Sequence, residues 1–368
     1  MRQRCAKAEA IFAARPQALP DLSAITRYKL RKLLKYGLVT TVVGAVLTLF
    51  SGQHRWAFIG AWAVLGVWTG VLEEFLFGRT FRSLAIPLQL LGKALAVNLL
   101  TIAFIFLALT VDVAHALPFS GDEGMTVGQV MASGPFYRLA LQVVVVTSVA
   151  ILVVQVEELM GRRYFLGFLL GWYDKPREVE RVILSIDLVG SSALNEKTGD
   201  MRYFRFLNVT HSLMTDAVLR NDAEIHKYVG DEVIFIWSIR SGTHDLNCLY
   251  LFFDIQERLR MHDKQMLRDF GAVPQFRAGL HGGRVISAQV GHIKRAIDLS
   301  GDVMNTTRRV LDLCKELKAD LLVTDDLLQR MPNAGKRFSF SEGILLRIKG
   351  GKRRMVVHRV ERTAKNGS

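Results

Sequence analysis

Residues 181–192 read RVILSIDLVGSS, and residues 226–237 read HKYVGDEVIFIW. Both stretches are rich in β-forming residues, and each carries one aspartate: Asp187 at the far end of a strand and Asp231 in a Gly-Asp step. A glycine-aspartate step between two apolar runs predicts a β-hairpin, whose strands are natural sheet neighbours of the first strand. A turn or a strand cap explains either aspartate alone, but their joint placement indicates a shared site.

Two carboxylates brought close together repel each other unless a cation lies between them. Carboxylate oxygens are ligands that Mg²⁺ and Mn²⁺ prefer. Asp187 and Asp231 therefore predict a site for divalent cations, and the pair suits two ions bound to a polyphosphate.

The C-terminal half alternates strands of five to eight residues with helices, which predicts a compact α/β domain. The sequence FRAGLHGGRVISAQV (276–290) is interpreted as two strands joined by a turn at Gly282 and Gly283. Short strands are expected at DLLVT, ILLRIK and RMVVHRV. Helices are expected over residues 201–220, near residues 246–264 and from Asp302.

The N-terminal half contains four stretches of 17 to 18 residues without Asp, Glu, Lys or Arg: residues 36–53, 56–72, 94–111 and 139–156. A helix needs roughly 17 to 25 apolar residues to cross a bilayer. Buried helices of a soluble domain would show a polar stripe, which these stretches lack. We therefore expect an all-α four-helix transmembrane domain over residues 36–156, in which Asn98 and Gln142 make interhelical hydrogen bonds.

Charge asymmetry sets the expected orientation in the membrane. Residues 1–35 hold nine Lys or Arg, whereas residues 112–135 hold none. Basic residues stay on the cytoplasmic side, so both termini are expected in the cytoplasm and the protein in the inner membrane. Residues 157–180 are interpreted as a juxtamembrane coupling segment, and residues 361–368 as a tail.

Composition excludes several other classes of protein. The net charge of +14 is compatible with nucleic acid or anionic lipid as a partner. The basic excess concentrates at the ends of the predicted spans and in the last strand region, so nucleic acid is not expected. Three cysteines without CxxC spacing predict neither a disulfide framework nor a zinc site.

Five blocks of the C-terminal half, in this order, resemble the class III nucleotidyl cyclases: ILSIDLVGSSAL, HKYVGDEVIFIW, FRAGLHGGRV, AIDLSGDVMNTTRRV and RIKGGKRRMVVHRV. The resemblance covers residues 181–360. It implies a ferredoxin-like, palm-type βαββαβ catalytic domain, and an activity that converts a nucleoside triphosphate to a cyclic nucleotide and pyrophosphate.

The resemblance assigns roles to individual residues. Asp187 and Asp231, with the backbone carbonyl of Leu188, would hold two divalent cations, Mg²⁺ or Mn²⁺. Lys227 and Asp298 match the pair that reads adenine, which implies ATP as the substrate and cyclic AMP as the product.

The remaining site residues also follow from the resemblance. Asn305 matches the residue that orients the ribose, and Arg309 the residue that meets charge developing at the α-phosphate. Arg277 and Lys349 match triphosphate contacts. Taken singly, these residues are also explained as an exposed basic face, a solvated turn and a salt bridge. Ser191, Ser192 and Arg284 depart from the family pattern at positions that contact neither metal nor base.

In this family the metal-binding and base-reading residues of one site come from different protomers. One cyclase domain per chain therefore implies a head-to-tail homodimer. Two alternatives remain open at this stage: a diguanylate or guanylate cyclase, because KYVGDEV is similar to the GGDEF turn, and a non-catalytic membrane receptor with a nucleotide-binding domain. The signal sensed by the membrane part does not follow from the sequence.

Overall fold

The computed structural model describes residues 24–50, 57–77, 85–110, 132–161, 165, 167, 170–172, 175–291, 296–347 and 354–363. The chain divides into two compact units, Met1–Leu169 and Leu170–Ser368.

The first unit is helical in the part that the structure describes. Its helices are α1 (Ala24–Phe50), α2 (Ala57–Val71, continued by a π-helical turn at Leu72–Phe77), α3 (Ile86–Thr110) and α4 (Gly134–Met160). By length and composition, two stretches are long and apolar enough to cross a membrane: Ala24–Leu49 and Phe136–Met160. A shorter apolar stretch lies at Pro87–Ala103. These findings indicate membrane association, and four crossings stay a prediction.

Helices α1 and α2 pack closely because a glycine lies at their crossing. A Cβ atom on Gly66 would lie 2.0 Å from Thr40 Oγ1 and 2.5 Å from the carbonyl oxygen of Tyr36. The Thr40 hydroxyl also donates to the carbonyl of Trp62 at 2.8 Å, between the two helices. Small residues that allow close backbone approach are typical of helix pairs in membranes.

A largely buried ionic network joins helices α1 to α4. We name it the lysine–glutamate cluster; it comprises Lys29, Lys32, Lys35, Lys93, Glu73, Glu74, Glu157 and Glu158. The carboxylate of Glu73, a residue that is 1% exposed, lies 2.7 Å from the ammonium groups of both Lys32 and Lys93. Lys32 also lies 2.8 Å from Glu158, so the cluster connects α1 to the end of α4.

The interhelical role expected for Asn98 is confirmed. The hydroxyl of Thr147 in α4 donates to Asn98 Oδ1 in α3 at 2.8 Å.

The second unit is an α/β domain built on one sheet. Its strands are β1 (Arg177–Leu188), β2 (Glu224–Val229), β3 (Glu232–Ser238), β4 (Phe276–Val290), β5 (Ala296–Ser300), β6 (Leu321–Thr324), β7 (Phe338–Phe340), β8 (Ile344–Arg347) and β9 (Arg354–Arg362). The strand order is β2-β3-β1-β4-β6-β9-β7, with β5 paired to β4 and β8 paired to β9. The neighbours within β2-β3-β1-β4 are all antiparallel.

Helices cover this sheet. They are α5 (Ser191–Thr198), α6 (Asp200–Arg220), α7 (Ile239–Thr243), α8 (Asn247–Met261), α9 (Asp263–Phe270), α10 (Asp302–Glu316) and α11 (Asp325–Leu328), with a 3₁₀ turn at Ala334–Lys336. The succession β1-α6-β2-β3-α8-β4, together with the strand order, confirms the predicted βαββαβ core.

The turn predicted at Gly282 and Gly283 is wrong. Both glycines lie inside β4, opposite Val182 and Arg181 of β1. A Cβ atom on Gly282 would lie 2.9 Å from Leu327 Cδ1, so a close side-chain contact, and not a turn, explains this glycine. The β1 strand also begins at Arg177, four residues before its predicted start.

The two faces of β1 pack differently. Val182, Leu184 and Ile186 join the main core with helices α6 and α8. Ile183 packs in a second cluster with residues of β3, β4, β5 and α10. Because side chains alternate along a strand, Asp187 belongs to the same face as Ile183, which is the face covered by α10.

Candidate active site

Asp187 and Asp231 come together because their strands are neighbours. Asp187 is the penultimate residue of β1, and Asp231 lies in the turn between β2 and β3. Strand β3 pairs with β1 up to Ile186 opposite Val233, which brings the hairpin turn beside the end of β1. The two carboxyl groups are therefore close enough to repel each other electrostatically.

The pKa of Asp187 is raised by burial and by the neighbouring Asp231, while Arg277 and Arg308 act in the opposite direction. Arg277 lies directly across from Asp187 on β4, with Nη2 3.6 Å from Asp187 Oδ2. Part of this shift is repulsion between the two carboxylates, which a cation placed between them would relieve. The position therefore favours binding of further positive charge.

Sequence reasoning missed three groups beside this pair. Glu232 is buried at the start of β3 and accepts hydrogen bonds from the hydroxyl of Ser185 and the guanidinium of Arg308. Ser185 lies two residues before Asp187, and Arg308 lies on α10. In the sequence, Glu232 begins the apolar stretch EVIFIW, and a carboxylate buried at that position requires a partner.

Lys227 and Asp298 form a second group. The Lys227 ammonium donates to Asp298 Oδ1 at 2.9 Å, and the backbone amide of Leu299 donates to the same oxygen at 2.9 Å. His226, which sequence reasoning also missed, places Nε2 3.2 Å from that oxygen. Burial alone would raise the pKa of Asp298, but these three hydrogen bonds and the charge of Lys227 outweigh it and hold the pKa below its usual value.

Asn305 and Arg309 lie one turn apart on α10, and both are exposed. Within the described part of the chain, no ion pair or side-chain hydrogen bond joins either residue to the two groups above. Lys349 lies outside the described residues. The side chain of Leu188 is buried at the end of β1, next to Asp187.

Residues 175–362 match the family described as the adenylate and guanylate cyclase catalytic domain. This chain belongs to that family. Cyclase domains of this kind act as dimers on nucleotide substrates and generally use divalent metal ions.

Relatives match the cyclase domain over part of their length. Over 181 residues the chain is 41% identical to adenylate cyclase 2 of Rhizobium meliloti (strain 1021), covering 49% of this chain and 50% of that protein. It is 25% identical over 153 residues to an adenylate cyclase of Anabaena cylindrica, covering 40% and 30%. A solved bacterial light-regulated adenylyl cyclase superimposes with a TM-score of 0.49 at 20% identity, covering 65% and 66%. The chain thus spans half or less of the length of these curated relatives.

The oxygen donors of the cyclase domain fit a divalent cation. Asp187 and Asp231 supply two carboxylates, and the backbone carbonyl of Leu188 adjoins them. Among the described residues, no group of three or more His, Cys, Asp or Glu side chains gathers to hold a metal. Mg²⁺ commonly binds one or two carboxylates together with substrate phosphates, which agrees with this sparse donor set.

The departures from the family pattern are accommodated locally in the cyclase domain. Ser191 opens α5 and lowers the pKa of Tyr203, which burial and Asp231 raise more strongly. Arg284 forms an ion pair with Glu178 at 3.1 Å across β1 and β4.

Proposed function

We propose that this protein is an adenylate cyclase that converts ATP to 3′,5′-cyclic AMP and pyrophosphate. The observation that carries the proposal is the contact between Lys227 and Asp298. An ammonium donates to the ring nitrogen of adenine, and a carboxylate accepts from the exocyclic amine. Guanine carries a carbonyl where adenine has its amine, so this pair favours ATP over GTP. The 41% identity to a protein named adenylate cyclase supports the same conclusion.

In the proposed reaction the ribose 3′-oxygen bonds to the α-phosphorus while the bond from that phosphorus to the β-bridging oxygen breaks. The hydroxyl proton is released, and pyrophosphate leaves. Arg309 stabilises the charge that develops at the α-phosphate, and Asn305 orients the ribose. Arg277 and Lys349 oppose the charge of the leaving group. Two divalent cations, held by Asp187, Asp231 and the Leu188 carbonyl, would lower the pKa of the 3′-hydroxyl and neutralise the phosphates.

A head-to-tail homodimer would complete each site. The residues assigned to metal, Asp187 and Asp231, and those assigned to the ribose and α-phosphate, Asn305 and Arg309, have no described contact with each other within one chain. Exposed apolar side chains occur on the elements next to Asp187 and Asp231: Val189, Met201, Phe204, Tyr228 and Val229. Such residues favour contact with a second copy of the chain.

Turnover of ATP and of GTP by detergent-solubilised full-length protein tests the activity. We expect cyclic AMP from ATP, little product from GTP, and loss of activity in Asp187→Ala. The control is Asp245→Ala, which removes an exposed carboxylate with a 69% exposed side chain. Cyclic AMP formation that survives Asp187→Ala would contradict the proposal. A dominant product from GTP would favour a guanylate or diguanylate cyclase, and no turnover at all would favour a receptor.

Complementation tests the dimer. Asp187→Ala and Arg309→Ala would each be inactive alone. Co-expressed in equal amounts, they form mixed dimers in which one of the two sites is intact, so about a quarter of the wild-type activity returns. If both residue sets served a site within one chain, the mixture would stay inactive.

We further propose that the helical unit anchors the protein in the inner membrane through four crossings, with both termini in the cytoplasm, and regulates the cyclase domain. The two long apolar helices support an anchor. A cysteine placed at Asp122 tests the topology: an impermeant thiol reagent should label it from outside the inner membrane but should not label Cys5. The reverse labelling would contradict this orientation.

A further inference from the structure

In a regular β-strand, the side chain of His226 would not reach Asp298 together with the side chain of Lys227. Residues His226 and Lys227 are consecutive in β2, and side chains of consecutive strand residues normally point to opposite faces. The pairing of β2 with β3 shifts register here: Ile225 opposes Phe235, and Lys227 opposes Ile234. His226 is therefore the extra residue of a β-bulge, which allows two adjacent side chains to reach the same carboxylate.

The hydrogen bonds to Asp298 are unevenly distributed between its two oxygens. The Lys227 ammonium, the Leu299 amide and His226 Nε2 all lie within 3.2 Å of Oδ1. No hydrogen bond from a described residue reaches Oδ2. The carboxylate is thus fixed through one oxygen, and the other keeps its capacity to accept a hydrogen bond from a ligand.

The three side chains differ in how firmly they are held. The side chains of Lys227 and Asp298 are 41% and 44% exposed, whereas that of His226 is 2% exposed. Lys227 must also donate to the base, so it does not hold Asp298 alone. A buried aromatic ring has little rotational freedom and supplies the rigid contact.

We propose that His226 is a positioning residue for base recognition: its neutral imidazole donates Nε2–H to Asp298 Oδ1 and thereby aims Oδ2 at the exocyclic amine of adenine. This role rests on the proposed function. The neutral state is favoured because burial and the neighbouring Lys227 lower the pKa of His226.

The test compares ATP with inosine triphosphate, whose base carries a carbonyl in place of the amine, on full-length protein. His226→Phe keeps a ring but removes the donor. It should lower kcat/KM for ATP roughly tenfold, the effect of losing one hydrogen bond to a charged group, and leave kcat/KM for inosine triphosphate nearly unchanged. His226→Gln, which retains an N–H donor, should recover most of the wild-type ratio of kcat/KM for ATP to kcat/KM for inosine triphosphate. In an Asp298→Ala background, His226→Phe should have no further effect on the ratio.

Two controls separate positioning from folding. Both substrates are measured on one preparation, so a partly unfolded fraction cancels in the ratio, and His226→Leu provides a second variant without a donor. His281→Phe alters a buried histidine of β4 that bonds Thr324, and it should change both substrates equally.

The outcomes distinguish this role from the activity itself. Equal losses on ATP and inosine triphosphate in the His226 variants would overturn the positioning role while leaving the proposed function intact. A wild-type protein that makes no cyclic AMP would overturn the proposed function and this role with it.

Discussion

Replacing Gly279 by alanine should displace the helix that carries Asn305 and Arg309. Gly279 lies in β4 between Ser185 of β1 and Leu322 of β6. A Cβ atom there would lie 2.5 Å from the amide nitrogen of Leu311 and 2.8 Å from the carbonyl oxygen of Thr307. Both are backbone atoms of α10, so no side-chain rotation relieves the contact.

The size of the effect follows from these distances. Ordinary contact between heavy atoms is about 3.5 Å, so α10 must move away from the sheet by roughly 1 Å. Overpacking of this kind costs about 1–3 kcal/mol of unfolding free energy. A shift of that size is also enough to lower kcat strongly, because catalytic groups must be held to a fraction of an ångström.

Two measurements check this prediction. Urea unfolding of the Leu170–Ser368 unit, followed by far-ultraviolet circular dichroism, gives the loss of stability, and ATP turnover by the full-length protein gives the loss of kcat. The control is Gly335→Ala, because a Cβ atom at Gly335 would meet no atom within 4 Å. If Gly279→Ala were as stable and as active as Gly335→Ala, the close packing of α10 on β4 described here would be refuted.

Three further predictions concern buried polar groups. Glu73→Gln removes the carboxylate that faces the buried ammonium group of Lys93, while Lys32 keeps Glu74 and Glu158, and it should cost about 3–5 kcal/mol, seen as a lower melting temperature in detergent. Glu74→Gln should cost less because Glu74 is more exposed. Burial lowers the pKa of His281, so the stability that this residue contributes is complete above its unfolded-state pKa of about 6.5 and is lost as pH falls. His281→Gln should therefore make the urea unfolding midpoint depend less on pH between pH 8 and 5. Burial raises the pKa of Cys248 and Cys314 to about 12, so both thiols should resist a thiol reagent at pH 8 until the domain unfolds, in a variant lacking the N-terminal cysteine. Rapid labelling of native protein would argue against their burial.

The βαββαβ core was predictable because strand and helix periods are local properties of the sequence. Asp187 and Asp231 were predictable as a pair for the same reason: a hairpin signal and a strand end determine where each lies. The turn predicted at Gly282 and Gly283 was wrong because glycine is equally common in turns and where another side chain packs closely against the backbone. Only the partner of each glycine decides between these, and that partner lies on another element.

His226 and the lysine–glutamate cluster were not predictable for a different reason. A bulge reverses the alternation of side chains, and nothing in the residues IHKYV marks where it occurs. The charged residues of the cluster lie just outside the apolar stretches in the sequence, where each of them alone is typical of a solvent-exposed helix end. Their pairing depends on four helices meeting, which local periodicity does not encode.

The lysine–glutamate cluster determines how this protein can be divided. Glu157 and Glu158 lie in the last turn of α4, and their counter-charges, Lys35 and Lys32, lie on α1. A chimaera that keeps α4 but replaces α1 would leave these acids without counter-charges. The helical unit is therefore exchangeable among cyclases only as a whole, with its boundary between Leu169 and Leu170 and not between its helices.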